Sequence, residues 1–118
     1  MVLKQLKPKE SEVVKACLDW LFYKKIFAYR NNTGAFKTTY KNKRGVSKSS
    51  FVRYGAVGSP DIIAIHKGLF IGIECKVPGK KQSEDQIKFE AKVKKAGGNY
   101  MVVCGVDDLD KEFDNLCL

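Results

Sequence analysis

Gly58-Ser59-Pro60-Asp61-Ile62-Ile63-Ala64-Ile65, and the later Ile73-Glu74-Cys75-Lys76, are the stretches on which the reading of this chain turns. Both are apolar and rich in β-branched residues, and charge enters only at Asp61, Glu74 and Lys76. A glycine-rich approach, Gly55 to Pro60, leads into the first run. His66-Lys67-Gly68 separates it from a second run, Leu69 to Lys76, and the pair reads as a β-hairpin. Alternation with period two puts Phe70, Gly72, Glu74 and Lys76 on one face, and Leu69, Ile71, Ile73 and Cys75 on the other. If the two runs pair, Asp61 lies near Glu74 at the end away from the turn, and two carboxylates and one ammonium converge.

The flanking sequence supplies the rest of a fold. From Pro8 to Lys25, Val13, Val14, Cys17, Leu18, Leu21 and Phe22 recur at helical spacing, with Pro8, Glu10 and Glu12 suited to the first turn. Ile26 to Arg30 reads as a strand running into the turn Asn31-Asn32-Thr33-Gly34. Residues 35–53 read as a basic loop. Val77-Pro78-Gly79-Lys80-Lys81 breaks the strand before it, and Ser83-Glu84-Asp85 opens a helix expected to turn Ile87, Phe89, Val93 and Ala96 toward a core. Gly97-Gly98 ends that helix, Asn99 to Gly105 is a further strand, and Val106 to Leu118 holds a short terminal helix. The predicted order is α-β-β-β-α-β-α, an α/β fold. A strand, a crossover helix and another strand add a parallel pairing to the antiparallel hairpin, so the central sheet is mixed and flanked by helices. At 118 residues the chain is read as one domain, 1–118.

Composition narrows the class of function. Hydrophobic residues make up 44%, a globular rather than a disordered or fibrous content. Twenty-two Lys and Arg against 13 Asp and Glu give +9, a charge that attracts polyanions. Cys17, Cys75, Cys104 and Cys117 form no Cys-x-x-Cys pair, which argues against zinc and for reduced, mostly buried thiols. With no signal peptide and no apolar run near 18 residues, the expectation is a cytoplasmic protein with no membrane partner.

Two carboxylates attract a hard divalent cation, and Mg²⁺ is commonly held by one or two carboxylates with water and substrate phosphates. Such an ion activates water and offsets charge on a phosphorane, while Lys76 orients or deprotonates the attacking water. Alone, Glu-x-Lys on a strand is a weak signal, since alternating charges on a strand face usually mean a solvated edge. Charges confined to these places on otherwise apolar strands call for a further reason.

With these pieces in place the sequence resembles the PD-(D/E)xK nuclease superfamily and, within it, the virus-type replication-repair nuclease (VRR-NUC) domain, in a stand-alone, phage-like form. The resemblance covers nearly the whole chain: the helix with Glu10, the stretch Phe27 to Ala35, Gly58 to Asp61, Glu74 to Lys76, Gln86, and Gly97-Gly98 before an apolar strand. It implies a restriction-endonuclease-like core and Mg²⁺-dependent hydrolysis of DNA phosphodiesters, with Mn²⁺ able to substitute. It makes Asp61 and Glu74 metal ligands, completes the metal site with the Cys75 backbone carbonyl, gives Lys76 the water-activating role and Gln86 a supporting one. It also implies an acid from the first helix, directly or through water; Glu10 is preferred, and Glu12 serves if the helix starts later. Stand-alone members are similar to homodimeric resolvases of four-way (Holliday) junctions acting in DNA recombination and repair, which places the chain in the cytoplasm of a bacterial or phage-infected cell.

DNA contact is expected from Lys37, Lys41, Lys43, Arg44, Lys48 and Arg53, which lie among Phe36, Tyr40, Phe51 and hydroxyls with no acid, and from Arg30 and Asn32 at the first strand's end. A mobile solvated loop and a plain turn are the bland readings of these two groups. His66, the only histidine, falls in the hairpin turn far from the acids and is read as non-catalytic. Trp20 is read as core. The rival functions are a flap or restriction-type nuclease, or a non-catalytic basic nucleic-acid-binding module that would bind DNA without metal.

Overall fold

A computed structural model of the chain describes residues 8–32 and 34–116; Thr33, Cys117 and Leu118, named above, lie outside them. Helix α1 spans Glu10–Tyr23 and buries Val13, Val14, Cys17 and Leu21, the stripe that the spacing predicts. Glu12 turns back to accept the Lys9 backbone N–H (3.4 Å), closing the first turn. The helix ends on a left-handed Lys25 (φ 60°), with the Ile26 N–H donating to the Leu21 carbonyl and the Lys25 N–H to that of Phe22.

Strand β1 (Phe27–Arg30) is followed by β2 (Gly34–Lys41) and β3 (Ser47–Tyr54), then β4 (Ile62–His66), β5 (Leu69–Cys75), α2 (Glu84–Lys95), β6 (Asn99–Val103) and α3 (Val106–Asp114). The main sheet runs β1-β4-β5-β6, with β1–β4 and β4–β5 antiparallel and β5–β6 parallel across the α2 crossover. Over the described residues the fold is therefore mixed α/β, with three helices about a mixed sheet. Ile62, Ala64, Ile71, Ile73, Cys75, Met101 and Val103 form the core with the buried stripe of α1 and with Leu109 of α3. Trp20 is half-buried at the rim of this core, 5.5 Å from the Phe113 ring. Among the described residues no helix is long and apolar enough to cross a membrane.

Two expectations change. The element order is α-β-β-β-β-β-α-β-α rather than α-β-β-β-α-β-α, because residues 35–53 are no loop: β2 and β3 pair antiparallel in a separate two-stranded ribbon. The ribbon stands clear of the core, and the radius of gyration is 18.1 Å where a compact chain of this length would have about 13.5 Å. Helix α2 has no buried residue; Phe89 and Val93 are half-buried, while Ile87 and Ala96 are exposed. It rests on β6 at the side of the sheet, so only part of its apolar stripe finds a surface. Of the thiols, Cys17 and Cys75 are buried and Cys104 is exposed.

Gly58 couples the loop before β4 to the start of α2. Its φ is +77°, and a Cβ there would stand 2.3 Å from the Asp85 backbone oxygen, so both conformation and space demand glycine. Gly58→Ala is expected to cost at least about 2 kcal/mol, a fall of roughly 6–10 °C in Tm by calorimetry or circular dichroism. An unchanged Tm would refute this account of the contact.

Candidate metal and active site

The strand pairing brings the charged residues together. Ile62 pairs with Ile73, so Asp61 stands one step beyond the last pair, across from Glu74. There the Asp61 carboxylate takes over from the backbone: its Oδ2 accepts the Cys75 N–H at 2.8 Å, continuing the ladder through a side chain. The Asp61 carbonyl accepts the Asn31 N–H (2.8 Å), and the Asn31 amide donates to Ser59 Oγ (2.8 Å) and to the Pro60 carbonyl (3.0 Å). One asparagine thus holds the whole approach to Asp61.

Glu74 is 1% exposed. Its Oε1 accepts the Gln86 amide N–H at 2.8 Å and lies 3.7 Å from Lys76 Nζ, and its Oε2 accepts the Tyr100 hydroxyl at 3.4 Å. Gln86 cannot turn away. Its Oε1 accepts the Ser83 backbone N–H (2.8 Å) while Ser83 Oγ accepts the Gln86 N–H (3.2 Å), a capping box that leaves the amide NH₂ pointing at Glu74. Lys76 is itself buried (9% exposed), and its backbone N–H donates to the Val103 carbonyl, which keeps the chain in the ladder past the end of β5.

Glu10, from the first turn of α1, completes the group. One carboxylate oxygen from each of Glu10, Asp61 and Glu74 lies within 4.8 Å of the others. Glu12 is the capping acid, exposed and turned to Lys9, so the two acids left open by the sequence divide their work. Ligand carboxylates bind a metal in their ionised form, and three of them against one ammonium would leave two negative charges over, the charge that a divalent cation balances. The donor set, all oxygen and partly buried, is one that Mg²⁺ or Mn²⁺ accepts.

The electrostatics carry the same message. Burial, then the nearby Asp61 carboxylate, pushes the Glu74 carboxyl up to about 8, and Lys76 only partly opposes this. Burial and Glu74 together push the Tyr100 phenol up as well. On the far face of the sheet, a hydrogen bond donated to Cys17 and burial push the Cys75 thiol up, so this side chain packs as a neutral thiol in the core.

The remaining residues singled out by sequence fall elsewhere. Arg30 ends β1 opposite Ile62 and is exposed; Asn32 is exposed and, among the described residues, has no side-chain partner. Asn31, its neighbour, does the structural work. Lys37, Lys41, Lys43, Arg44, Lys48 and Arg53 are exposed on the ribbon or its turn. His66 closes β4 beside Phe113, with ring centroids 6.0 Å apart, away from the acids. Sequence reasoning missed Tyr100 and Asn31. A signal for Tyr100 existed in Gly72, a lone glycine in an apolar strand: a Cβ there would meet both Tyr100 and Pro60 at 3.0 Å, so glycine admits the ring that reaches Glu74.

The raised Glu74 carboxyl has a measurable consequence. The unfolded chain releases this proton near pH 4.5, whereas the folded, metal-free protein holds it to about pH 8. The folded state therefore binds the extra proton between those values, and metal-free stability falls as pH rises through this window, by up to about 1.4 kcal/mol per pH unit. Mg²⁺ held by these carboxylates would compete with the proton and is expected to raise Tm more at pH 8 than at pH 5; Glu74→Gln should flatten both dependences. No Mg²⁺ effect on the wild-type Tm at pH 8 would rule out a metal site at these carboxylates. Comparison with known proteins adds no assignment: no family model matches the chain, and no curated protein matches it in sequence.

Proposed function

We propose that this protein is a metal-dependent DNA endonuclease of the PD-(D/E)xK type, with a restriction-endonuclease-like core, that resolves four-way DNA junctions as a homodimer. One observation carries the reading: Glu10, Asp61 and Glu74 bring carboxylate oxygens within 4.8 Å of one another, and Lys76 Nζ stands 3.7 Å from Glu74. Asp61, Glu74 and Glu10 would hold Mg²⁺, with the Cys75 carbonyl beside them. Bound there, the ion supplies Lewis-acid chemistry at a phosphoryl oxygen.

The chain's own groups do the rest. Asp61 is fixed by the Cys75 N–H, and Glu74 by Gln86 and Tyr100, so the carboxylates meet substrate already oriented and pay little reorganisation on binding. Lys76 is held beside Glu74, where it orients the attacking water and offsets charge at the scissile phosphate. The water oxygen forms the new P–O bond as the bridging P–O bond breaks. The surplus of 22 basic over 13 acidic residues favours a polyanionic substrate.

The dimer rests on a separate observation. Phe27 pairs with Ile65, and with Tyr29 they share the sheet face that α2 leaves uncovered, at 66%, 46% and 46% exposure for Phe27, Tyr29 and Ile65. A contiguous apolar face of this kind favours contact with a second copy, and a two-fold dimer would present two sites to two strands of a symmetric junction.

Labelled four-way junction, 5′-flap and plain duplex DNA, each with Mg²⁺, Mn²⁺ or EDTA, test the activity. Paired symmetric nicks on the junction alone, lost in EDTA and reduced at least about 10³-fold by Lys76→Ala or Asp61→Ala, are expected. DNA binding without metal-dependent cleavage of any substrate would leave a binding module instead. Sedimentation tests the dimer: wild type should run as a dimer and Ile65→Lys as a folded monomer, and a monomeric wild type would remove the two-fold arrangement.

A further inference from the structure

We propose that the two faces of the β2–β3 ribbon have separate tasks, one holding the ribbon together and the other lying along a double-helical DNA arm next to the cleavage site. The proposal rests on the nuclease reading above and gives that site its substrate contact.

The register defines the faces, because residues directly opposite in an antiparallel pair share a side. Gly34/Tyr54, Phe36/Val52, Thr38/Ser50 and Tyr40/Lys48 form one; Ala35/Arg53, Lys37/Phe51, Thr39/Ser49 and Lys41/Ser47 form the other. On the first face the side chains engage each other. The Phe36 and Tyr54 rings meet at a tilt of 41° with centroids 6.3 Å apart, Tyr54 lies so close over Gly34 that a Cβ there would stand 2.5 Å from its hydroxyl, and the Thr38 and Ser50 hydroxyls bond at 3.0 Å. An isolated two-stranded ribbon is marginal in water, and these cross-strand pairs are what it has to stand on.

The second face has no such internal pairing. Among the described residues, Lys37, Lys41 and Arg53 have no ion-pair partner and the Thr39, Ser47 and Ser49 hydroxyls have no hydrogen-bond partner, so its cations and donors all face outward. No acid occurs between residues 35 and 53 to neutralise them. Cations mixed with hydroxyl donors are the chemistry that contacts phosphates. The dimensions also fit a duplex: eight paired residues extend about 24 Å, close to 7 base pairs at about 3.4 Å each, and a two-stranded ribbon is narrow enough for the major groove. The face leads toward the carboxylates. At the ribbon's root Arg53 and Phe51 line a cleft with Val57 and Gly58, and Gly58 is three residues from Asp61.

Lys48 is on the first face, so the inference separates it from the other cations. Binding of the full chain to a fluorescein-labelled 20-base-pair duplex is measured by anisotropy across a KCl series in EDTA, where a metal-dependent nuclease is silent. Threonine substitutions keep strand propensity. Each of Lys37→Thr, Lys41→Thr and Arg53→Thr should lower the slope of log K against log salt by about 0.9, and the triple variant by about three times that, while Lys48→Thr leaves it unchanged. Circular dichroism and Tm confirm folding of each variant. A triple variant with the wild-type slope, a Lys48→Thr effect equal to the others, or tighter binding of a single strand than of the duplex would overturn the proposal. These outcomes are read without cleavage, so the proposal can fail while junction nicking persists, and nicking can fail while the slopes hold.

Discussion

Burial of the Glu74 carboxylate is the constraint on which the surrounding structure depends. A carboxylate with 1% exposure and another acid beside it is costly unless its oxygens are bonded, and here each feature near it answers that cost. Gln86 and Tyr100 donate to it and Lys76 stands against it. Gly72 is small so that Tyr100 can cross the strand, and Gly58 is small so that the loop carrying Asp61 can pass the first turn of α2. Even the α2 capping box serves two ends, since the amide that closes the helix is the one that bonds Glu74. Without a cation the protein keeps a proton on this group to near neutral pH, so the site is a local weakness in the fold, of the kind that binding functions commonly retain.

The central hairpin and its charges were legible because the physics there is stark. A carboxylate and an ammonium stand out beside strands that, up to the His66 turn, are otherwise made of isoleucine, leucine, phenylalanine, alanine, glycine and cysteine, and the turn at Lys67-Gly68 sets a register that carries Asp61 to Glu74. The parallel β6 followed from a crossover helix in the same way. Sequence could not separate Glu10 from Glu12, since both suit a first turn; only the Lys9–Glu12 contact divides them. Sequence singled out Asn32 and passed over Asn31, because which amide meets Ser59 and Pro60 depends on the last peptide of β1.

The ribbon was illegible for a different reason. Its alternation exists, with Phe36, Thr38 and Tyr40 set against Lys37, Thr39 and Lys41, but neither side of it faces the core, so the usual contrast of apolar and polar positions is muted. Six cations in nineteen residues then read as a solvated loop. Helix α2 erred in the opposite direction: Ile87 and Ala96 sit at core spacing, yet the sheet beneath is too narrow to meet them. Spacing tells which residues share a side; it does not tell whether anything lies opposite.

These two misreadings share a cause that bears on how the protein works. Both the ribbon and the open side of the sheet are surfaces the chain makes without covering, and in a 118-residue protein such surfaces take length from the core. The core that remains is packed around β4 and β5, whose ends carry the acids, while six of the 22 basic residues stand on an element held together by its own cross-strand pairs. On the function proposed above, affinity for a polyanion and the positioning of the carboxylates fall to structures that share few contacts. Energies at such separated places add with little coupling, so charge on the ribbon can change without moving Asp61 or Glu74. The link between them is the short segment from Tyr54 to Pro60, and its glycines, Gly55 and Gly58, both at positive φ, fix the path by which one part is aimed at the other.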